Sequence, residues 1–211
     1  MEDDNKLILE RKRKLDRLKE KFNPYPNTFQ KSDKTILLRE KYDNLNKEEL
    51  SKNEVNVSIA GRLLMIREMG NSTFADLHDE SGKIQIYLQN KSLNDESSIV
   101  LSELDLGDIV GIKGVLFKTK TNELTINVSE IILIAKSLRP LPEKFHGIAD
   151  IEIKYRQRYL DLMTSHDTKN LFKKRIKIIS SIRNFFITND FLEIETPMMH
   201  TIPGGATAKP F

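Results

Sequence analysis

Two aromatic rings and an amide, Phe74, Tyr87 and Gln85, stand where aliphatic or charged residues would be unremarked. In TFADLH, Ala75 and Leu77 share one parity while Phe74, Asp76 and His78 share the other. In KIQIYLQ, Ile84, Ile86 and Leu88 oppose Lys83, Gln85, Tyr87 and Gln89. Successive side chains of a strand point to opposite faces, so Phe74 and Tyr87 are rings on otherwise polar faces. A ring set beside amide and basic groups suits stacking of an unpaired base and hydrogen bonding to its edge. The same parity equally suits a Phe74 packed beneath the N-terminal helices, and alternation alone leaves both open. Arg62 and Arg67 lie on or just after the preceding strand, and Glu123 sits at the tip of a later turn.

Other chemistries find little support. The histidines at 78, 146, 166 and 200 show no metal-ligand spacing, and there is no cysteine to form a disulfide or bind a metal. Glu193 and Glu195 lie two apart on one strand face; interface or strand hydrogen bonding is the expectation over metal binding. A net charge of +3 in 211 residues supplies no global attraction for a polyanion, so a nucleic-acid site must be a local patch. One patch is the helix expected over KLILERKRKLDRLKEKF, residues 6 to 22. Between residues 10 and 21 it has seven basic and three acidic side chains. They read either as a solvated face or as a surface lying against phosphates. No apolar run reaches the ~18 residues a membrane span needs, and the N-terminus does not read as a signal peptide. The absence of cysteine fits a cytoplasmic protein.

These residues must be positioned by the elements around them. Asn23, Pro24 and Pro26 end the first helix. A second is expected after an N-cap at Ser32 or Asp33, carrying Ile36, Leu37, Tyr42 and Leu45. From Val55 the period becomes two. Strands are expected over VNVSIAGRL, TFADLH, KIQIYLQ, DIVGIKGVLFK and ELTINVSEIILIA, with a helix between the third and fourth. That order is the one a five-stranded Greek-key barrel, the OB-fold, requires; an SH3-like barrel or an open sheet satisfies the same pattern. KSLRPLPEK breaks it as a linker. A long helix is then expected over about 168 to 189, capped by Asp167 or Thr168, followed by the strand FLEIETP halted by Pro197.

That helix, strand, proline and the loop PGGATAKPF together resemble motif 1 of the class II aminoacyl-tRNA synthetases. Phe191, Glu195, Pro197, Gly204, Gly205, Ala206, Pro210 and Phe211 carry the likeness. RPLPEKFHGIADIEIKYRQRYLDL is similar to the linker and catalytic entry of the lysyl branch of that family. AGRLLMIREMG, STFADLHDESGKIQIY and LGDIVGIKGVLFKTKTNELTI resemble its anticodon-binding OB domain.

The resemblance implies an α+β chain. It would have an N-terminal helical extension (1–54), an OB-fold anticodon-binding domain (55–136) and a linker (137–150). A truncated start of the antiparallel class II catalytic domain (151–211) would follow. Phe74 would stack on the central anticodon base, Gln85 and Arg67 would read its edge, and Glu123 would contact a flanking base. Arg11, Lys12, Arg13 and Lys14 would support the tRNA backbone. Gly205 and Ala206 would approach the substrate lysine through their backbone, and Phe186, Phe191 and Pro197 would belong to a motif 1 homodimer interface. The parent enzyme would use ATP and Mg²⁺ to join lysine to tRNA(Lys). The chain, looking like its N-terminal portion, would carry no catalytic residue or metal site and be inactive alone. A stand-alone RNA-binding module that has lost catalysis is the alternative.

Overall fold

The computed structural model describes residues 2–52, 54–142, 148 and 150–198. The chain divides into two compact units, residues 1–141 and 142–211.

In the first unit, helix α1 (Glu2–Lys19) buries Leu15 and Leu18 and ends before Asn23 and Pro24. Its last turn carries Arg17 and Lys19, cations that suit the negative end of the helix dipole. Two short helices follow, α2 (Thr35–Tyr42) and α3 (Lys47–Lys52), the second of which shows no clear apolar period in the sequence. The expected cap of α2 at Ser32 or Asp33 is not used. Asp33 instead accepts a hydrogen bond from the amide of Ser58, and the cap position falls on Lys34. The free amides of the first turn are met from elsewhere. Asp79 Oδ2 accepts from Thr35 N at 2.7 Å and Ser81 Oγ from Ile36 N at 3.1 Å. A turn between two distant strands thus does the capping.

Five strands close into a barrel in the order β1-β2-β3-β5-β4. They are β1 (Asn56–Met69), β2 (Ser72–His78), β3 (Lys83–Gln89), β4 (Ile109–Lys118) and β5 (Leu124–Ala135), with helix α4 (Asp95–Ser102) between β3 and β4. All neighbours are antiparallel except β3 and β5. A closed ring has no free sheet edge. Among the inward residues, Ile59, Leu63, Leu77, Ile86, Ile112 and Ile126 are completely buried. Helix α4 is capped by Asn94, whose side chain accepts from Ser97 N. The N-terminal segment lies close on β4: a Cβ at Gly111 would stand 2.8 Å from the ring of Phe29, so only glycine admits that ring.

Buried ion pairs fasten the end of β5. Lys136 donates to Asp105 Oδ2 and Asp108 Oδ2, each at 2.6 Å, and neither Lys136 nor Asp108 has exposed side-chain surface. Burial disfavours the Asp105 charge, but its bonds from Lys136 and Lys14 prevail and lower its pKa.

In the second unit, α5 (Ile151–Arg156) and α6 (Arg158–Thr164) precede the long α7 (His166–Thr188). The cap of α7 is Ser165, whose Oγ accepts from Thr168 N, and not Asp167 or Thr168. Asp190, at φ 63°, turns the chain out of α7, and Phe191 N returns to Phe186 O at 3.1 Å. The expected strand FLEIETP does not form: residues 191–197 have no ladder partner among the described residues. A strand is stable only when a neighbour takes up its amides and carbonyls, and an apolar alternation cannot supply one.

Candidate nucleic-acid interface

The sheet of β1, β2, β3 and β5 arranges its outward residues in rows. The register places Arg67 opposite Phe74, Phe74 opposite Tyr87 and Tyr87 opposite Asn127. The next row runs Met65, Asp76, Gln85, Thr125. Beyond it, Arg62, His78 and Lys83 form a third. Phe74 and Gln85, eleven positions apart in sequence, are diagonal neighbours on one face.

This alignment depends on a bulge. Between Leu63 and Met65 the β1–β2 register slips by one residue. Leu63 is buried opposite Leu77, and unbroken alternation would send Met65 and Arg67 inward as well. The extra residue, Leu64, reverses the parity, so Met65 and Arg67 join the outer face while Ile66 pairs with inward Ala75. Bulges commonly re-aim side chains in this way. The β1–β2 turn is closed at Gly70, where φ is 61°, a left-handed conformation that glycine adopts without cost.

Phe74 is half-buried, and its ring centroid lies 4.8 Å from that of Tyr87, tilted by 42°. Phe117 meets the other side of Tyr87 edge-on at 6.0 Å, and the Tyr87 hydroxyl lies 3.0 Å from Ser72 Oγ. Tyr87 is thus fixed on two sides and backs Phe74, which keeps part of its surface open. Arg67 is exposed and its Nε donates to Met65 Sδ. Gln85 Oε1 accepts from the hydroxyl of buried Thr125 at 3.0 Å, so its Nε2 is the group left to donate. The face therefore offers an aromatic surface flanked by an amide donor and a guanidinium. Such a set can stack a base and donate to its edge.

Glu123 stands at the β4–β5 turn, one strand away, and accepts from Arg39 at 2.8 Å. Nothing in the sequence singles out Arg39, Thr125 or Asn127. Their partners lie 40 or more residues away in several cases, and no local pattern marks them.

The basic helix divides into two kinds of cation. Arg11 donates to the carbonyls of Ser137 and Arg139, and Lys14 to Asp105 at 2.8 Å. Arg17 forms a two-pronged pair with Glu103, which holds its guanidinium pKa above the ordinary value. These three fasten α1 to the barrel unit. Lys12 and Arg13 are exposed. Arg62, similarly, is spent on the carbonyl of Gly107.

In the second unit Phe186 and Phe191 come together, with ring centroids 5.4 Å apart, and Pro197 is exposed nearby in sequence. Gly204, Gly205 and Ala206 lie outside the described residues. Among the described residues no group of three or more His, Asp or Glu could hold a metal ion, and no helix is long and apolar enough to cross a membrane.

Residues 57–134 match the family model of the OB-fold nucleic acid binding domain. Residues 150–211 match that of the class II tRNA synthetases of the D, K and N group. The barrel is thus similar to an OB-fold nucleic acid binding domain, and the segment after it to the class II synthetases of that group. The chain's curated relatives narrow the likeness further. It is 51% identical over 210 residues to a lysine–tRNA ligase of Nitrosomonas europaea, covering 100% of this chain and 42% of the relative. To those of Herminiimonas arsenicoxydans and Neisseria gonorrhoeae it is 53% and 49% identical, covering 99% of this chain and 42% of each relative. The chain spans about two fifths of the length of these relatives.

Proposed function

We propose that this chain is the anticodon-reading part, with the beginning of the catalytic domain, of a lysine–tRNA ligase working in the cytoplasm. The observation that carries the reading is the paired row of Arg67, Phe74 and Tyr87 beside Gln85 on the outer face of a closed OB barrel. Phe74 stacks on the central base of the tRNA(Lys) anticodon. Gln85 and Arg67, both donors, read acceptor oxygens on its edge. Glu123, an acceptor, contacts a flanking base. Lys12 and Arg13 are the cations of α1 that face phosphates, whereas Arg11 and Lys14 act mainly by holding the helix in place.

The whole enzyme would join lysine to ATP as lysyl-adenylate, releasing pyrophosphate, and then transfer the lysyl group to the terminal ribose of the tRNA. That is chemistry of positioning and charge neutralisation. Mg²⁺ bound by the whole enzyme would neutralise phosphate charge; the described residues of this chain offer it no ligand set. Gly205 and Ala206 would let the backbone approach the substrate lysine closely. The apolar face of α7, with Phe186, Phe191 and Pro197, would form the contact between two copies of the enzyme. Leu171, Ile176 and Ile182, each more than half exposed, support that reading, since large open apolar patches mark contact surfaces.

The test is binding of the chain to a tRNA(Lys) transcript with a UUU anticodon and to one whose central U is replaced by C. A preference of roughly tenfold for the first is expected from the loss of edge hydrogen bonds. Equal affinity for the two would overturn the reading.

A further inference from the structure

Glu123 is not at the tip of the β4–β5 turn as expected but closes it, its carbonyl accepting from Thr119 N at 3.1 Å and its amide donating to Thr119 Oγ1 at 3.1 Å. An exposed glutamate side chain ordinarily samples many rotamers and must lose that freedom to read a base. Here it is held. Arg39 of α2 donates through Nη2 to Glu123 Oε1 at 2.8 Å, through Nε to the carbonyl of Lys83 at 2.8 Å, and through Nη1 to Asp43 Oδ2 at 3.2 Å. One planar guanidinium thus bridges α2, the start of β3 and the β4–β5 turn. Its fork is rigid, so bonds to three segments fix the direction of each. Only one oxygen of Glu123 is engaged by Arg39, and Oε2 remains an acceptor.

The surroundings reinforce the arrangement. Lys118, with 1% of its side chain exposed, donates to the carbonyls of Asp43 and Asn122 at 2.9 and 3.2 Å. It ties the end of α2 to the turn that precedes Glu123. The Thr125 hydroxyl lies 3.1 Å from the carbonyl of Glu123 and 3.0 Å from Gln85 Oε1. The turn is therefore connected to the amide that reads the central base. The Arg39 and Glu123 side chains are 27% and 44% exposed. An ion pair that open adds little to stability, so its consequence is orientation.

We propose that Arg39 is a positioning residue for anticodon discrimination: it aims the Glu123 carboxylate at a flanking base and touches no nucleotide itself. The proposal rests on the anticodon reading above. It gives the N-terminal extension a part in specificity as well as in affinity.

The experiment measures dissociation constants of the 211-residue chain for a synthetic stem-loop with the UUU anticodon and for loops substituted singly at each anticodon position. Salt is varied throughout. Arg39→Met should lower discrimination at one flanking position about fivefold or more, the scale of one base-edge interaction. Discrimination at the central base and the salt slope should stay as in the wild type. Arg39→Lys, a point charge without the fork, should restore discrimination in part. Arg39→Met combined with Glu123→Gln should discriminate no worse than Glu123→Gln alone. Thermal melts of Arg39→Met and Arg39→Lys exclude a collapsed barrel, which would also abolish central-base discrimination. Three results would overturn the proposal: retained flanking discrimination in Arg39→Met, additive losses in the double variant, or a salt slope reduced by about 0.7, the mark of one phosphate left without its cation. If the wild type discriminates at the centre but at neither flank, this inference fails while the anticodon reading stands. If the wild type binds all loops equally, both fail.

Discussion

Ile126 of β5 and Ile176 of α7 are the same residue in equally regular apolar patterns, yet the first is 0% exposed and the second 61%. The barrel is a ring: each strand's inward face is covered by the strands opposite, with Leu18, Leu38 and Leu50 of the N-terminal helices joining the same core, so its apolar set is consumed within the first unit. Helix α7 has an apolar stripe of comparable strength and no buried residue at all. A stripe of period 3.6 needs a partner surface, and α5 and α6 are too short to provide one. Apolar periodicity therefore tells which face will be covered, and closure of the sheet decides whether the cover is internal.

The largest effect should come from the same truncation in the two places. Ile126→Ala leaves a cavity in a closed core and should cost about 2–5 kcal/mol in denaturant unfolding of the barrel. Ile176→Ala in dilute chain should cost no more than about 0.5 kcal/mol. Similar costs at both sites would mean that α7 packs as tightly as the barrel, and the contrast would fail.

A middle-sized effect concerns the helix caps. Asp79 is a cap supplied across the fold, and Ser165 is one supplied by the adjoining residue in the chain. Asp79→Ala should destabilise the barrel unit by about 1 kcal/mol, the usual worth of a lost cap. Partial burial works against the Asp79 charge, but bonds from Thr35 N, Ser81 Oγ, Gly82 N and Ser81 N outweigh it and hold its pKa below the ordinary carboxylate value. A lowered value means that the native state resists protonation. Its contribution is complete above the ordinary carboxylate range and is lost as pH falls through the folded pKa. Acid unfolding curves of Asp79→Asn should accordingly lose steepness below about pH 4. An unchanged acid limb would show that the Asp79 carboxylate is not what caps α2.

The smallest effect separates the cations of α1. Charge reversal at Lys12 and Arg13 should weaken all stem-loops alike, lowering the salt slope by about 0.7 for each phosphate no longer neutralised. The melting temperature should stay unchanged. The corresponding change at Lys14, which is tied to Asp105, should instead lower the melting temperature.

Much of this was legible in the residues, for reasons that differ from place to place. Alternation in β2 and β3 sufficed to set Phe74 and Gln85 on one face, because no bulge interrupts the pairing of those two strands. The position of Arg67 was not legible in that way, since its outward direction depends on the bulge at Leu64. The only trace is the broken step from Leu63 to Ile66. Ser32 and Asp33 read as caps by composition, but Asp33 is drawn to Ser58 by the course of the chain. FLEIETP alternates like a strand without a partner to pair with among the described residues. The basic run of α1 looks uniform until Asp105, Glu103 and the carbonyls of Ser137 and Arg139 single out which cations are spent. Arg39 gave no signal at all, because its partners come from separate segments of the chain.

Whether the open half of Phe74 stacks a base is decided by a single titration. Fluorescence anisotropy should be read for wild-type chain and Phe74→Ala against a labelled stem-loop carrying the UUU anticodon, at a series of fixed salt concentrations. Loss of one stacked base is worth ~1–3 kcal/mol, so the variant should bind several-fold to a hundredfold more weakly, with the salt slope and the barrel's melting temperature little changed. Wild-type affinity in a folded Phe74→Ala barrel would show that the ring merely packs on Tyr87, and that the anticodon is read elsewhere.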